Sequence, residues 1–217
     1  MRTYLTLVAM CIGAALFGTS GPAGAQADWY GWYIGVTLGA SNANITHEVV
    51  PVTGATSSVF LTDSRDPGYK VFAGYRFNRY FGVEGGYAWL GEFQATTQVT
   101  APTAGVLNAD IRVIGLYIDA VPMLPVGDRF AVFAKVGVLL SETRTTRSTF
   151  GTVTPAPGLN ANASTDRPNL SYGLGVQYDL DKTVTLRFVW ERYIKVGDLN
   201  TGEFNIDLYS GGLLFRF

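Results

Sequence analysis

Apolar side chains recur at every second position along most of this chain, and a period of two puts alternate side chains on opposite faces of a strand. In "WYIGVTLGAS" Trp32, Ile34, Val36 and Leu38 share one face, while Tyr33, Gly35, Thr37, Gly39 and Ser41 share the other. The same split runs through "YKVFAGYRF", "FGVEGGYAW", "GLYIDAV", "FAVFAKVGVLL", "LSYGLGVQY", "VTLRFVWE" and the final "LYSGGLLFRF". Short turns are expected at Asn78-Arg79-Tyr80, at Pro125 to Asp128 and at Asp179-Leu180-Asp181, where Gly, Asn and Asp permit tight reversal. Long polar loops are expected at about Asn42 to Pro67, Glu92 to Asp110, Glu142 to Pro168 and Ile194 to Asn205. Long and short connections alternate, which predicts eight antiparallel strands in up-and-down order with both chain termini on the short-turn side.

A soluble sandwich or barrel also alternates, so the question is which face meets water. Lys70, Arg76, Glu84, Asp119, Lys135, Arg187, Glu191 and Arg216 share their faces with glycines and small residues, opposite bulky aliphatics. That arrangement suits a crowded polar interior and an oily exterior. Aromatic residues gather at strand ends, with Trp29, Tyr30 and Trp32 at one entry, Tyr75, Phe77, Tyr80 and Phe81 around a short turn, and Phe215 and Phe217 at the tail. Such girdles match the two interfaces of a membrane. In lipid every backbone polar group must be satisfied internally, and among sheets only a closed barrel achieves this. The fold class predicted is therefore all-β, an eight-stranded antiparallel up-and-down transmembrane β-barrel.

Composition narrows the class further. Of the 217 residues 47% are hydrophobic and 15% charged, which excludes disorder. The net charge of −1, with no basic stripe, gives no case for a nucleic-acid partner. Met1 and Arg2, the apolar run Leu5 to Phe17 and the small-residue stretch after it form an export signal, with cleavage expected after Ala25 or Ala27. The predicted domains are residues 1–25 as the signal and 26–217 as the barrel. Cys11 is the single cysteine and lies inside the signal, so the mature chain has no thiol for disulfides, thiolate zinc sites or cysteine nucleophiles.

The stretches "YKVFAGYRFNRYFGVEGGYAWLG", "LPVGDRFAVFAKVGVL" and "RFVWERY", with the terminal "FRF", resemble the eight-stranded transmembrane domain of outer-membrane protein A and its small porin-like relatives in Gram-negative bacteria. The resemblance covers about Trp29 to Phe217 and implies an integral protein of the outer membrane. It further implies that the terminal aromatic strand, with Tyr209, Leu213, Phe215 and Phe217 on one face, is the assembly signal. The partners of biogenesis would be the barrel-assembly machinery and periplasmic chaperones. The best-known relatives carry a second, peptidoglycan-binding domain. This sequence stops at Phe217, so a cell-wall tethering role does not carry over.

Eight strands leave a lumen just wide enough for side chains to fill it, and an unpaired buried charge is costly. The five basic and three acidic inward residues must then pair. They read as a plug; a gate, in which Glu84, Asp119 or Glu191 exchanges cationic partners, is the alternative that the resemblance suggests. Arg112, Arg144, Arg147, Arg192 and Lys195 cluster near the long-loop ends and are candidate contacts for lipopolysaccharide phosphates, which guanidinium groups suit geometrically. His47, the single histidine, sits in the first long loop and reads as solvated rather than catalytic, and no metal-ligand spacing or cofactor motif is present. The loops are rich in Thr, Ser, Ala, Asn and Gly, with Phe60, Phe93, Phe150 and Phe204 their few aromatics, and name no surface ligand. The function expected is structural or surface-interactive in outer-membrane lipid, with a narrow porin as the alternative and a lipid-modifying or proteolytic barrel enzyme behind it.

Overall fold

The computed structural model describes residues 30–45, 57–101, 104–151, 160–198 and 200–217. The export signal with Cys11, Trp29 and His47 lie outside the described residues. The strands in chain order are β1 (Gly31–Asn44), β2 (Ser57–Asp63), β3 (Arg65–Asn78), β4 (Phe81–Ala101), β5 (Gly105–Val126), β6 (Phe130–Gly151), β7 (Asn162–Asp179), β8 (Val184–Val196) and β9 (Phe204–Arg216). All pairings are antiparallel.

Eight of these strands form a closed ring in which β1 pairs with both β3 and β9, so no edge is left in the part that meets lipid. The remaining strand, β2, lies along the far end of β4, where Asp63 pairs with Gln94 and Ser57 with Ala101. The first and last barrel strands reach the short-turn end together, and the Phe217 amide donates to the Trp32 carbonyl at 3.1 Å.

The polar segments predicted to be long loops are largely strand. β4, β5 and β6 are 21, 22 and 22 residues long and run well past the oily band, β7 begins at Asn162, and β2 occupies part of the first predicted loop. Period-two alternation continues there with its sense reversed. Leu90, Phe93, Leu107, Ile111, Val113, Leu139, Phe204, Ile206 and Leu208 point inward and are buried, while Glu92, Gln94, Asp110, Arg112 and Arg144 point outward. Phe93 and Phe204, expected as loop aromatics, meet edge to face inside the barrel with centroids 6.3 Å apart.

In β5 and β6 the reversal needs no change of register. In β4 it is accompanied by a bulge between Trp89 and Gly91, where Leu90 and Gly91 are both buried and the inward set passes from even to odd numbers. Gly91 takes φ +113°, and a Cβ there would lie 2.8 Å from the Asp66 side chain, whose carboxylate accepts the Glu92 amide at 2.7 Å.

The oily band is bounded by rings. Trp32, Tyr75, Phe77 and Phe81 pack in sequence near the short turns, with centroids 5.1 to 5.9 Å apart. Tyr69 stacks on Trp89, and Tyr172 meets Trp190 edge to face, at the other margin. Between them Ile34, Val36, Leu38, Val71, Ile118, Val136, Leu140, Leu174 and Phe188 are exposed to what must be lipid.

Candidate functional site

The inward charges of five separate strands converge near the middle of the band. Lys135 on β6 reaches Glu84 on β4 at 3.0 Å, Asp119 on β5 at 3.1 Å and Glu191 on β8 at 3.0 Å. Lys70 on β3 holds the same Glu191 oxygen at 2.6 Å and is held in turn by the Tyr193 hydroxyl at 3.1 Å. Arg187 pairs with Glu84, whose oxygen also accepts the Tyr33 hydroxyl at 2.9 Å. Ser171 donates to Asp119 at 3.2 Å and Gln177 accepts from Arg187 at 3.3 Å. Three cations face three carboxylates, so the cluster is neutral in total, as a buried set must be to limit its desolvation cost.

Aromatic rings fill the space that these charges leave. The Lys70 ammonium sits 3.6 Å from the centroid of Tyr117, and the Arg187 guanidinium 4.6 Å from that of Phe133. Glycines on neighbouring strands make the room: a Cβ at Gly74 would fall 2.4 Å from the Tyr33 ring, and one at Gly35 2.4 Å from the Phe72 ring. Sequence reasoning placed these aromatics on the inward face without assigning Tyr33, Tyr117 or Tyr193 to the network. Their signal was the inward parity of a tyrosine, a side chain that needs a polar partner when buried.

Of the eight inward residues, Lys70, Glu84, Asp119, Lys135, Arg187 and Glu191 meet in this cluster. Arg216 lies apart at the short-turn end, paired with Asp179 of β7, a fourth acid that the sequence reading did not count. Arg76 forms no salt bridge among the described residues, and its guanidinium donates to the Met123 sulfur at 3.2 Å. The expectation that every inward charge pairs fails at Arg76.

The long-loop end of the lumen is closed by the chain between β8 and β9. The Thr145 hydroxyl donates to the Thr201 carbonyl at 2.9 Å, Arg147 donates to the carbonyls of Asn200 at 2.7 Å and Asn160 at 3.1 Å, and Asn169 donates to the Lys195 carbonyl at 2.6 Å. Asp198 caps this turn by accepting the amides of Asn200 and Thr201, each at 2.8 Å, and the Thr165 hydroxyl at 2.6 Å. Burial raises the Asp198 pKa, but these hydrogen bonds outweigh it and hold the carboxyl below its ordinary value. Arg147 is thereby a correction: its inward position on β6 and its buried guanidinium remove it from the candidate lipopolysaccharide contacts.

The remaining candidates face outward just above the aromatic margin, each beside a carboxylate. Arg112 holds Glu92 at 2.6 Å and lies 4.8 Å from the Trp89 ring; Arg144 holds Glu142 at 2.6 Å. Arg192 grips Asp207 through two donors at 2.8 and 2.7 Å, and the Trp190 indole donates to the same carboxylate at 3.0 Å. Lys195 lies 3.6 Å from Glu203. On β9, Tyr209, Leu213 and Phe215 point outward beside β1, and Phe217, just past the strand's end, is exposed. Among the described residues no group of His, Cys, Asp and Glu is arranged to hold a metal ion.

Comparison with known proteins fits this geometry. The family model described as outer membrane protein beta-barrel domain matches residues 11–217. The chain is 27% identical over 211 residues to outer membrane protein A of Yersinia pseudotuberculosis, covering 96% of this chain and 55% of that one. It is 26% identical over 215 residues to outer membrane protein A of Escherichia coli O157:H7, covering 98% and 54%. It thus spans about half the length of the curated relatives it matches. Among solved structures, OprG of Pseudomonas aeruginosa superposes with a TM-score of 0.54 at 16% identity, covering 88% of this chain and 98% of that one.

Proposed function

We propose that this chain, which belongs to the outer membrane protein β-barrel domain family, serves the outer membrane as a closed scaffold that presents a surface rather than as an open pore. The observation that carries the reading is that the lumen is filled at successive levels. The neutral cluster around Glu84 and Lys135 spans the middle, a fully buried apolar layer of Phe93, Leu107, Ile111 and Leu208 lies above it, and the turn capped by Asp198 covers the end. An ion passing through would have to break the first, wet the second and lift the third. Its relatives are named for the membrane and not for a reaction.

Contact with lipid follows from the outer face. Arg112, Arg144 and Arg192 stand at headgroup height with guanidinium donors to spare, which supports a role in holding lipopolysaccharide phosphates together with Lys195, each carboxylate neighbour keeping its cation oriented. The outward row Tyr209, Leu213, Phe215 and Phe217 closes the ring against β1 and is the natural segment for the barrel-assembly machinery to engage.

Single-channel recording on the refolded chain in a planar bilayer tests the scaffold reading, with insertion verified by a heat-dependent shift in gel mobility. Silence from inserted protein is expected. Small discrete steps altered by Glu84→Ala or Lys135→Ala would overturn it and make the chain a narrow porin gated by its inward charges.

A further inference from the structure

We infer that the short-turn end of the lumen binds a phosphate-type oxyanion between Arg76 and Arg216. Arg76 lies on β3, two residues before the strand ends at Asn78, with its side chain turned inward and the residue only 4% exposed. Its contact with Met123 satisfies a donor but brings no charge, since a thioether is a weak and neutral acceptor. A guanidinium stays ionised at any physiological pH, so burial cannot be relieved by loss of the proton.

The surroundings sharpen the imbalance. Arg216 and Arg187 act on Arg76 repulsively, and Asp179 is the carboxylate that acts on it favourably. Asp179 is already engaged by Arg216. Among the described residues Asp179 is thus the one lumen-facing carboxylate ion-paired at this end, with the exposed Asp181 attracting Arg216 from outside, whereas the central cluster is balanced without either arginine. Donors are also left over: the Nε atoms of Arg216 and Arg187 are both buried and lack a hydrogen-bond partner. An oxyanion with several acceptor oxygens meets both deficits, and the planar fork of guanidinium suits it better than a point charge would.

Access is from one side. Arg216 and Asp179 retain side-chain exposures of 20% and 14% at the mouth, whereas Arg187 and Glu84 block the lumen above. The site is thus reached from where the short turns emerge, at the level of a lipid headgroup. The oxyanion can come free from solution or as the headgroup of an anionic phospholipid of the adjacent leaflet.

The test uses the refolded full barrel in a phosphate-free maltoside detergent, with folding read as heat-dependent gel mobility. One arm titrates inorganic phosphate against sodium chloride at matched ionic strength; the other dopes the micelle with phosphatidylglycerol in phosphate-free buffer. The unfolding midpoint of the native chain is expected to rise and saturate in at least one arm, beyond the chloride control, and which arm responds identifies the source. Arg76→Gln should abolish the rise, and Arg76→Lys should shift it to higher concentration. Asp179→Asn, which removes the competing carboxylate, should shift it to lower concentration. A native chain with no saturable response in either arm, or a response that Arg76→Gln leaves intact or that Asp179→Asn weakens, would overturn the site.

Discussion

Phe188 and Phe93 belong to the same barrel wall, yet one points into lipid and the other into the lumen. The contrast extends along whole strands. On β5, Asp119 is inward and Ile118 outward in the lower half, while Ile111 is inward and Arg112 outward in the upper half, with no break in the strand's own alternation or in its register with β6. In the lower half the outside is hydrocarbon, so apolar side chains gain nothing by turning in and the polar ones are forced together in the lumen. In the upper half the outside is water, and the ordinary hydrophobic effect drives leucine, phenylalanine and isoleucine inward. One pleated wall thus serves two solvents, and the boundary is marked by the paired charges Glu92 with Arg112 and Arg192 with Asp207.

The largest effect should come from the polar half. Glu84→Ala leaves Arg187 and Lys135 short of a buried partner and is expected to cost about 3–5 kcal/mol, as breaking a buried ion pair by removing one member does. Urea unfolding of the refolded barrel measures it. In the upper half the corresponding inward change, Leu107→Ala, removes buried apolar volume and should cost about 2–4 kcal/mol for a different reason, the cavity. If Glu84→Ala proved milder than Leu107→Ala, the central cluster would hold the barrel less firmly than its geometry implies.

The outward faces offer a sharper contrast. Ile118→Arg places a charge in the lipid band and should cost about 2–4 kcal/mol near the midplane. Gln94→Arg makes the outward change above the boundary and should fall within about 0.5 kcal/mol of neutral, as exposed surface substitutions do. Comparable costs at both positions, in bilayer-reconstituted protein, would move the boundary or erase it.

Much of the lower half was legible from the sequence because its two faces differ maximally: an oily row opposite glycines and charges has no other reading in a chain this apolar. The upper half reads from the sequence as loops. Its inward face mixes Ala95, Thr97, Ala109, Thr143 and Thr145 with the larger apolar residues, so its alternation is shallow. In β4 the bulge at Leu90 and Gly91 also breaks the count just where the sense reverses. Arg147 was misplaced with those loops, since only its parity along a strand not recognised as one could have shown it turned inward. The cluster around Glu84 was legible as a set of inward charges, whereas its pairing was not, because partners such as Lys135 and Glu191 come from β6 and β8, which are not neighbours in the wall.

A smaller loss than any of the core or lipid-face changes is expected at the cap over the upper half. Asp198 holds the β8–β9 turn through the amides of Asn200 and Thr201, and its carboxyl stays ionised below the pH at which a free aspartate would protonate. A depressed carboxyl contributes stability that is fully present above the unfolded-state pKa, about 4, and is lost as pH falls through the lower folded-state value. Asp198→Asn should therefore cost about 1 kcal/mol at neutral pH, since the amide oxygen keeps part of the bonding without the charge. In the native chain the amide protons of Asn200 and Thr201 should titrate by NMR with a midpoint below that of a free aspartate, and in Asp198→Asn they should not titrate at all. A native midpoint at or above the free value would mean that the carboxylate does not hold the turn, and the apolar layer beneath would then be the uppermost closure of the lumen.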